Sequence, residues 1–258
     1  MHSHLKSKFL KDFYPDDNLL EVLHAPVNNS GITLETLPES FKGGDAFFIT
    51  DQNQMVKGFS YEDENNKMHA IAEFNPAVAY FDAGFQTMEK VYESRDKILA
   101  TKSLQNQNVY ESRNNAQNFF LRASMCIGNL TSALEAFINM SIERYKGVLH
   151  YKGIISNEQA ARLNFPQKME NIMQQVYDVD FVFTHPIEYD MVKETIRMRN
   201  DFTHLKMGIQ TLDTYRVILT KGLNFDYKIA LDCCKNYINF YEPKLIEVCD
   251  CKGRQHAQ

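Results

Sequence analysis

Arg197, Arg199, Asn200 and His204 fall within one short stretch, Arg197-Met198-Arg199-Asn200-Asp201-Phe202-Thr203-His204. These residue types suit a phosphodiester. A histidine titrates near neutrality and can take or give a proton. An arginine fork can hold a phosphate and stabilise the charge that builds on it. The asparagine amide can orient either partner. The same residues also fit a second reading, a solvated helix face carrying an ordinary surface or core histidine.

Spacing sets what one helix can do with this group. A helix advances roughly 100° per residue. Met191, Thr195, Met198, Phe202 and Leu205 then form one inward stripe. Arg197, Asn200 and His204 fall together on a flank of that stripe. Arg199 lies on the opposite flank, roughly 140° from His204. One helix therefore cannot close Arg199 and His204 onto a small target without fraying or a partner, which points to a composite site.

The elements that must position this stretch divide in two. Residues 1–74 read as a strand-rich subdomain. Leu19, Leu20, Val22 and Leu23 fit a short helix, and Ile32–Leu37 alternates apolar with polar. Ala46–Thr50, Met55–Tyr61 and Met68–Phe74, separated by polar turns, complete a small antiparallel β meander. Residues 75–258 read as a helical bundle. Asn75-Pro76 supplies an N-cap and a preorganised first position. Val78, Phe81, Phe85, Met88, Tyr92 and Leu99, with Arg95 in register, form the core stripe that follows.

The longest helix is expected over about 113–146. Phe119, Phe120, Ala123, Ile127, Leu130, Leu134 and Phe137 face one way along it. Gly128, on another stripe with Glu135, would mark a close helix approach. Glu135 itself fits either an assisting role or a solvated acid. Ser156 and Asn164 are helix starts, and His185-Pro186 bounds the helix that carries the motif. A short apolar turn over Val217-Ile218-Leu219 ends at Gly222. The last helix runs from about Asp226 with Ala230, Cys233, Tyr237 and Tyr241 inward, and Pro243 would kink it.

Arg199-Asn200, three residues and His204 resemble the signature of the HEPN superfamily. Phe120-Leu121-Arg122-Ala123, leading into Ser132-Ala133-Leu134-Glu135-Ala136-Phe137-Ile138-Asn139, is similar to the long helix with which many such domains begin. The resemblance covers roughly residues 113–250. It implies a mainly α (α+β) chain, a HEPN-like helical bundle from about residue 113 preceded by the β meander. It also implies a metal-independent endoribonuclease acting on RNA as a homodimer, with two motif copies meeting in one cleft. His204 would activate the ribose 2′-hydroxyl or protonate the leaving oxygen, Arg199 would hold the scissile phosphate, and Asn200 would be the polar partner. Arg197 and Lys206 would add substrate-binding charge, and either Arg197 or Arg199 fits the phosphate contact. Roles in phage defence or toxin-like RNA restriction, with a regulatory or antitoxin partner, follow from the same resemblance. The alternative is a noncatalytic helical module that binds protein or nucleotide, with Arg199 paired to an acidic neighbour.

Composition bounds these readings. A net charge of −5 over 258 residues argues against a nonspecific nucleic-acid coat, although a nuclease needs only a basic cleft. Lys193, Arg197, Arg199 and Lys206 supply local positive charge, diluted by Glu188, Asp190, Glu194 and Asp201. Met1–Lys6 lacks the apolar core of a signal peptide and no run is long enough to span a membrane, so the cytoplasm is expected. The cysteines, Cys126, Cys233, Cys234, Cys249 and Cys251, are odd in number and read as reduced thiols. No metal is expected. On one helix Cys233 and Cys249 would stand about 24 Å apart. No cofactor is expected either, since the chain shows no phosphate-binding glycine loop.

Overall fold

The structure, a computed structural model, describes Leu5, Lys6, Lys8 and residues 46–49, 55–100, 108–203 and 212–249. The chain forms two compact units, one of residues 7–75 and one of residues 76–258 together with 1–6. The fold is mainly α with a small antiparallel sheet, as the patterning predicts.

In the first unit β1 (Ala46–Ile49), β2 (Met55–Glu62) and β3 (Met68–Ala72) pair antiparallel in chain order. Phe59 lies opposite Ile71 and Tyr61 opposite His69. The β2–β3 turn is held by one side chain. Asp63 Oδ1 accepts the backbone N–H groups of Asn65 and Lys67, and Oδ2 lies 2.9 Å from His69 Nε2. Asn66 takes the left-handed conformation that asparagine tolerates. The His69 contact, then the Lys67 N–H, hold the Asp63 carboxyl below its usual range. The helix expected at Leu19–Leu23 and the strand at Ile32–Leu37 lie outside the described residues.

The second unit begins with α1 (Pro76–Leu99), where the Asn75-Pro76 signal puts it. Its inward stripe is rotated from the expected one. Ala77, Val78, Phe81, Gly84, Val91 and Ser94 are buried, Phe85, Met88 and Tyr92 flank them, and Leu99 is exposed. The reason is the neighbour, α2 (Val109–Arg144), capped by Asn108, whose side chain accepts the N–H groups of Tyr110 and Glu111. A Cβ on Gly84 would stand 3.0 Å from Leu130 Cδ2 and 3.4 Å from the Cys126 carbonyl. Gly84 therefore marks a close approach of the two helices. Gly128 does not serve that purpose, because a Cβ there would meet nothing within 4 Å. Arg122 fastens the two helices from the side, donating to Ser94 Oγ at 2.7 Å and to the Lys90 carbonyl at 3.1 Å.

After α2 a two-residue hairpin, β4 (Leu149–His150) and β5 (Ile154–Ile155), occupies what reads as loop. Then come α3 (Asn157–Ala161) and α4 (Phe165–Gln167). Each starts with a reciprocal capping box, Ser156 with Gln159 and Asn164 with Gln167. A π-helical turn (Lys168–Ile172) joins α4 to α5 (Met173–Tyr177). Next are α6 (Phe181–Thr184), α7 (Pro186–Thr203), α8 (Leu212–Asn224) and α9 (Tyr227–Tyr241).

Two expectations are corrected here. Val217–Leu219 belongs to a helix, and Gly222 lies inside it rather than ending a turn. A Cβ at Gly222 would stand 2.9 Å from Phe202 Cζ and 3.3 Å from Phe119 Cε1. Pro243 does not kink α9, which stops at Tyr241 before it. The inward face of α9 is the expected one, with Ala230, Cys233, Tyr237 and Tyr241 all buried. Around it Phe137, Tyr177, Phe181, Phe240 and Tyr241 form an aromatic core of mostly edge-on and tilted rings. Leu5 is buried in this unit and bridges to Val248, while its N–H donates to Asp82 Oδ1 at 3.2 Å. No helix among the described residues is long and apolar enough to cross a membrane.

Candidate functional site

The helix α7 starts at Pro186, after His185 closes α6. Thr195, Met198 and Phe202 are buried on the expected stripe, joined by Tyr189 and Val192. Phe202 packs edge-on against Phe120 of α2 with centroids 5.2 Å apart. That packing turns Lys193, Ile196, Arg197 and Asn200 toward a cavity of about 670 Å³. Such a volume lies within the roughly 300–1,000 Å³ of ordinary ligand sites. Thr131 and Glu135 of α2 line another wall, and the Leu163–Pro166 segment with Glu170 lines a third.

Arg199 also lines the cavity, despite pointing from the other flank of α7. Its length allows this. Nη1 donates to Asn200 Oδ1 at 3.2 Å, drawing the guanidinium around the helix toward Asn200. The neighbouring cations are paired differently. Lys193 meets Asp190 at 2.8 Å, Arg197 meets Glu194 at 3.3 Å, and Lys221 meets Asp201 at 2.8 Å. Among the described residues, Arg199 has no carboxylate partner. The exposed Arg197–Glu194 pair is worth only about 0–1 kcal/mol, so Arg197 can also turn to a ligand at small cost.

Three of the five expected site residues, Arg197, Arg199 and Asn200, thus converge on one cavity. His204 and Lys206 lie outside the described residues, which on α7 end at Thr203. His185 takes no part in the cavity. It stacks on Phe181 at 4.8 Å and meets Phe240 edge-on at 5.2 Å.

Sequence patterning does not reveal the π-helical turn that follows α4. Lys168, at the start of the π-helical turn, is 3% exposed. Its Nζ donates to Asn139 Oδ1 at 2.8 Å. Burial holds its ammonium below the ordinary lysine range, and the negative charge of Glu135 opposes that shift. In the same turn Glu170 faces the cavity and accepts the Tyr189 hydroxyl at 2.7 Å. Burial, followed by that carboxylate, pushes the Tyr189 hydroxyl well up. A π-helical turn widens the helix and re-aims its side chains, and such turns are frequent at functional sites. Glu135 itself is exposed to the cavity and, among the described residues, makes no hydrogen bond.

Protein-family models, curated proteins and solved structures show no match to this chain. The functional reading therefore rests on the residues. Among the described ones, no group of three or more His, Cys, Asp or Glu side chains comes together as a metal site would require.

Proposed function

We propose that the chain is a metal-independent endoribonuclease of HEPN type, acting as a homodimer with a composite site and used in RNA restriction of a defence or toxin kind. The observation that carries the reading is Arg199. It lines a ligand-sized cavity, is held by Asn200 and has no carboxylate partner among the described residues. A noncatalytic motif that merely builds a seam would be expected to neutralise that charge.

In the reaction, the 2′-oxygen of a ribose attacks the adjacent phosphorus and the P–O5′ bond breaks. The 2′-hydroxyl loses its proton and the departing 5′-oxygen gains one. His204 serves as one of these proton carriers, and the equivalent residue of a second subunit can serve as the other. Arg199 holds the phosphate while negative charge grows on its non-bridging oxygens. The products are a 2′,3′-cyclic phosphate and a 5′-hydroxyl. Asn200 keeps the Arg199 fork aimed, so Lys at position 199 would keep charge but lose the planar grip.

The test is cleavage of mixed cellular RNA in excess EDTA. Wild type should cut and leave cyclic phosphate ends. His204→Ala and Arg199→Ala should lose about 10²–10³-fold, the scale for removing a group that acts on developing charge. Arg197→Ala should lose less than tenfold. Wild-type cutting that vanishes with EDTA, or equal activity in all four proteins, would refute the assignment.

A further inference from the structure

The cavity beside Arg199 carries more than a phosphate site needs. Its lining is divided by chemistry. Lys193, Arg197, Arg199 and Asn200 bring positive and amide groups, Leu163, Phe165, Pro166 and Ile196 bring apolar surface, and Glu135 and Glu170 bring carboxylates. A site for phosphate alone has no use for carboxylates, since they repel it. A nucleotide accounts for all three kinds of wall. Its phosphate meets the cations, its base packs on the apolar segment, and the edge of the base reaches an acceptor.

The two carboxylates are not equivalent. Glu170 is already occupied, because Oε1 takes the Tyr189 hydroxyl. Glu135 has no hydrogen bond among the described residues, and Lys168, whose ammonium feels its negative charge, donates to Asn139 instead. Both Glu135 oxygens are therefore open to a ligand. A carboxylate presents two coplanar acceptors and no donor. Guanine is the one common base whose Watson–Crick edge offers two adjacent donors, N1–H and the N2 amino group. Adenine and cytosine place a ring-nitrogen acceptor beside their single amino group, which a carboxylate repels. Uracil flanks its one donor with two carbonyls.

We propose that this cavity is a guanine-recognition subsite in which Glu135 accepts N1–H and N2–H of a base in single-stranded RNA, next to the phosphate held by Arg199. Phe165 is the stacking surface. Sequence-specific reading of unpaired RNA commonly combines such stacking with hydrogen bonds to the Watson–Crick edge. The placement beside the scissile phosphate rests on the ribonuclease reading, whereas base selection by the cavity can be measured without it.

The experiment uses short 2′-O-methyl RNA oligomers, which lack the attacking hydroxyl, with one variable base in a uridine background. Their binding to the full chain is followed by fluorescence anisotropy in EDTA. The guanine oligomer should bind at least tenfold tighter than the other three. Glu135→Gln should bring all four within about twofold, because one acceptor becomes a donor facing the base. Glu135 is exposed, so the substitution does not disturb the core. Equal affinity for the four oligomers, absence of binding to any, or a guanine preference that survives Glu135→Gln overturns the proposal. Cleavage of unmodified RNA is scored separately. A guanine preference without cleavage would keep the subsite and remove the enzyme, and cleavage without base preference would do the reverse.

Discussion

At the scale of single residues, the motif side chains are distinguished by their partners more than by their types. Either Arg197 or Arg199 fits the phosphate contact from sequence, yet one meets Glu194 and the other Asn200. A different set of residues governs how stability changes with pH. Burial raises the Cys126 thiol to about 12 and the Cys233 thiol to about 11, and pushes Cys234 up as well. In the unfolded chain a thiol ionises near pH ~8.5. The folded pKa is the higher one, so the contribution is complete below pH ~8.5 and is lost as pH rises toward the folded values. Each thiol then removes about 1.4 kcal/mol per pH unit. Urea unfolding between pH 8 and 10.5 should show a steadily falling midpoint, with a shallower fall in Cys126→Ala. A flat profile would contradict burial of these thiols. Of the site, Arg199 and Asn200 were legible because they sit on one helix. Glu135 was legible as either an assisting residue or a solvated acid, and Glu170 was not legible at all, because the fold joins positions 135, 170 and 199 from three elements and no local pattern encodes that approach.

Among the elements, three helical glycines have three different meanings, and substitution separates them. Gly222→Ala places a methyl group 2.9 Å from a buried phenylalanine ring. Overpacking of this kind costs about 1–3 kcal/mol, which should outweigh any gain in helix propensity. Gly128→Ala meets nothing within 4 Å and should stabilise by up to about 1 kcal/mol through propensity alone. Gly84→Ala has Leu130 at 3.0 Å and should fall between them. Thermal melts of the three variants give the order, and a destabilised Gly128→Ala would imply a covering partner on that face of α2. The same glycines explain what patterning misread. The expected α1 stripe followed its largest apolar residues, as far as Leu99. The buried face instead includes Ala77, Phe81, Gly84 and Val91, and at Gly84 the missing side chain lets Leu130 and the Cys126 carbonyl of α2 approach. Caps at Ser156, Asn164 and Asp226 were legible because their chemistry is local.

For the whole molecule, the helical unit is not continuous in sequence. It includes residues 1–6 and resumes at Pro76, with residues 7–75 forming the other unit between them. Leu5 is 6% exposed within the helical unit, and Lys6 donates from its backbone to the Glu247 carbonyl at 2.8 Å. Leu5→Ala should therefore destabilise the helical unit by about 2 kcal/mol, at the low end for truncation of a buried leucine. Guanidinium unfolding followed by helical circular dichroism measures this, and an unchanged midpoint would argue against burial of the Leu5 side chain. Patterning located the change from strands to helices at Asn75-Pro76 because the hydrophobic period switches there. It could not assign Leu5 to the later unit, since a single residue has no period.

The Leu5–Val248 bridge has a consequence for the order of events on the ribosome. Its two ends are 248 − 5 = 243 residues apart, and at about 5–20 residues per second their synthesis is separated by roughly 12–50 s. Throughout that interval the leucine has no bridge partner, while the strands of residues 46–72 already have theirs. The earliest described residue of the helical unit is thus among the last to be locked in place, and a nascent chain held short of Val248 would keep that leucine open to a chaperone.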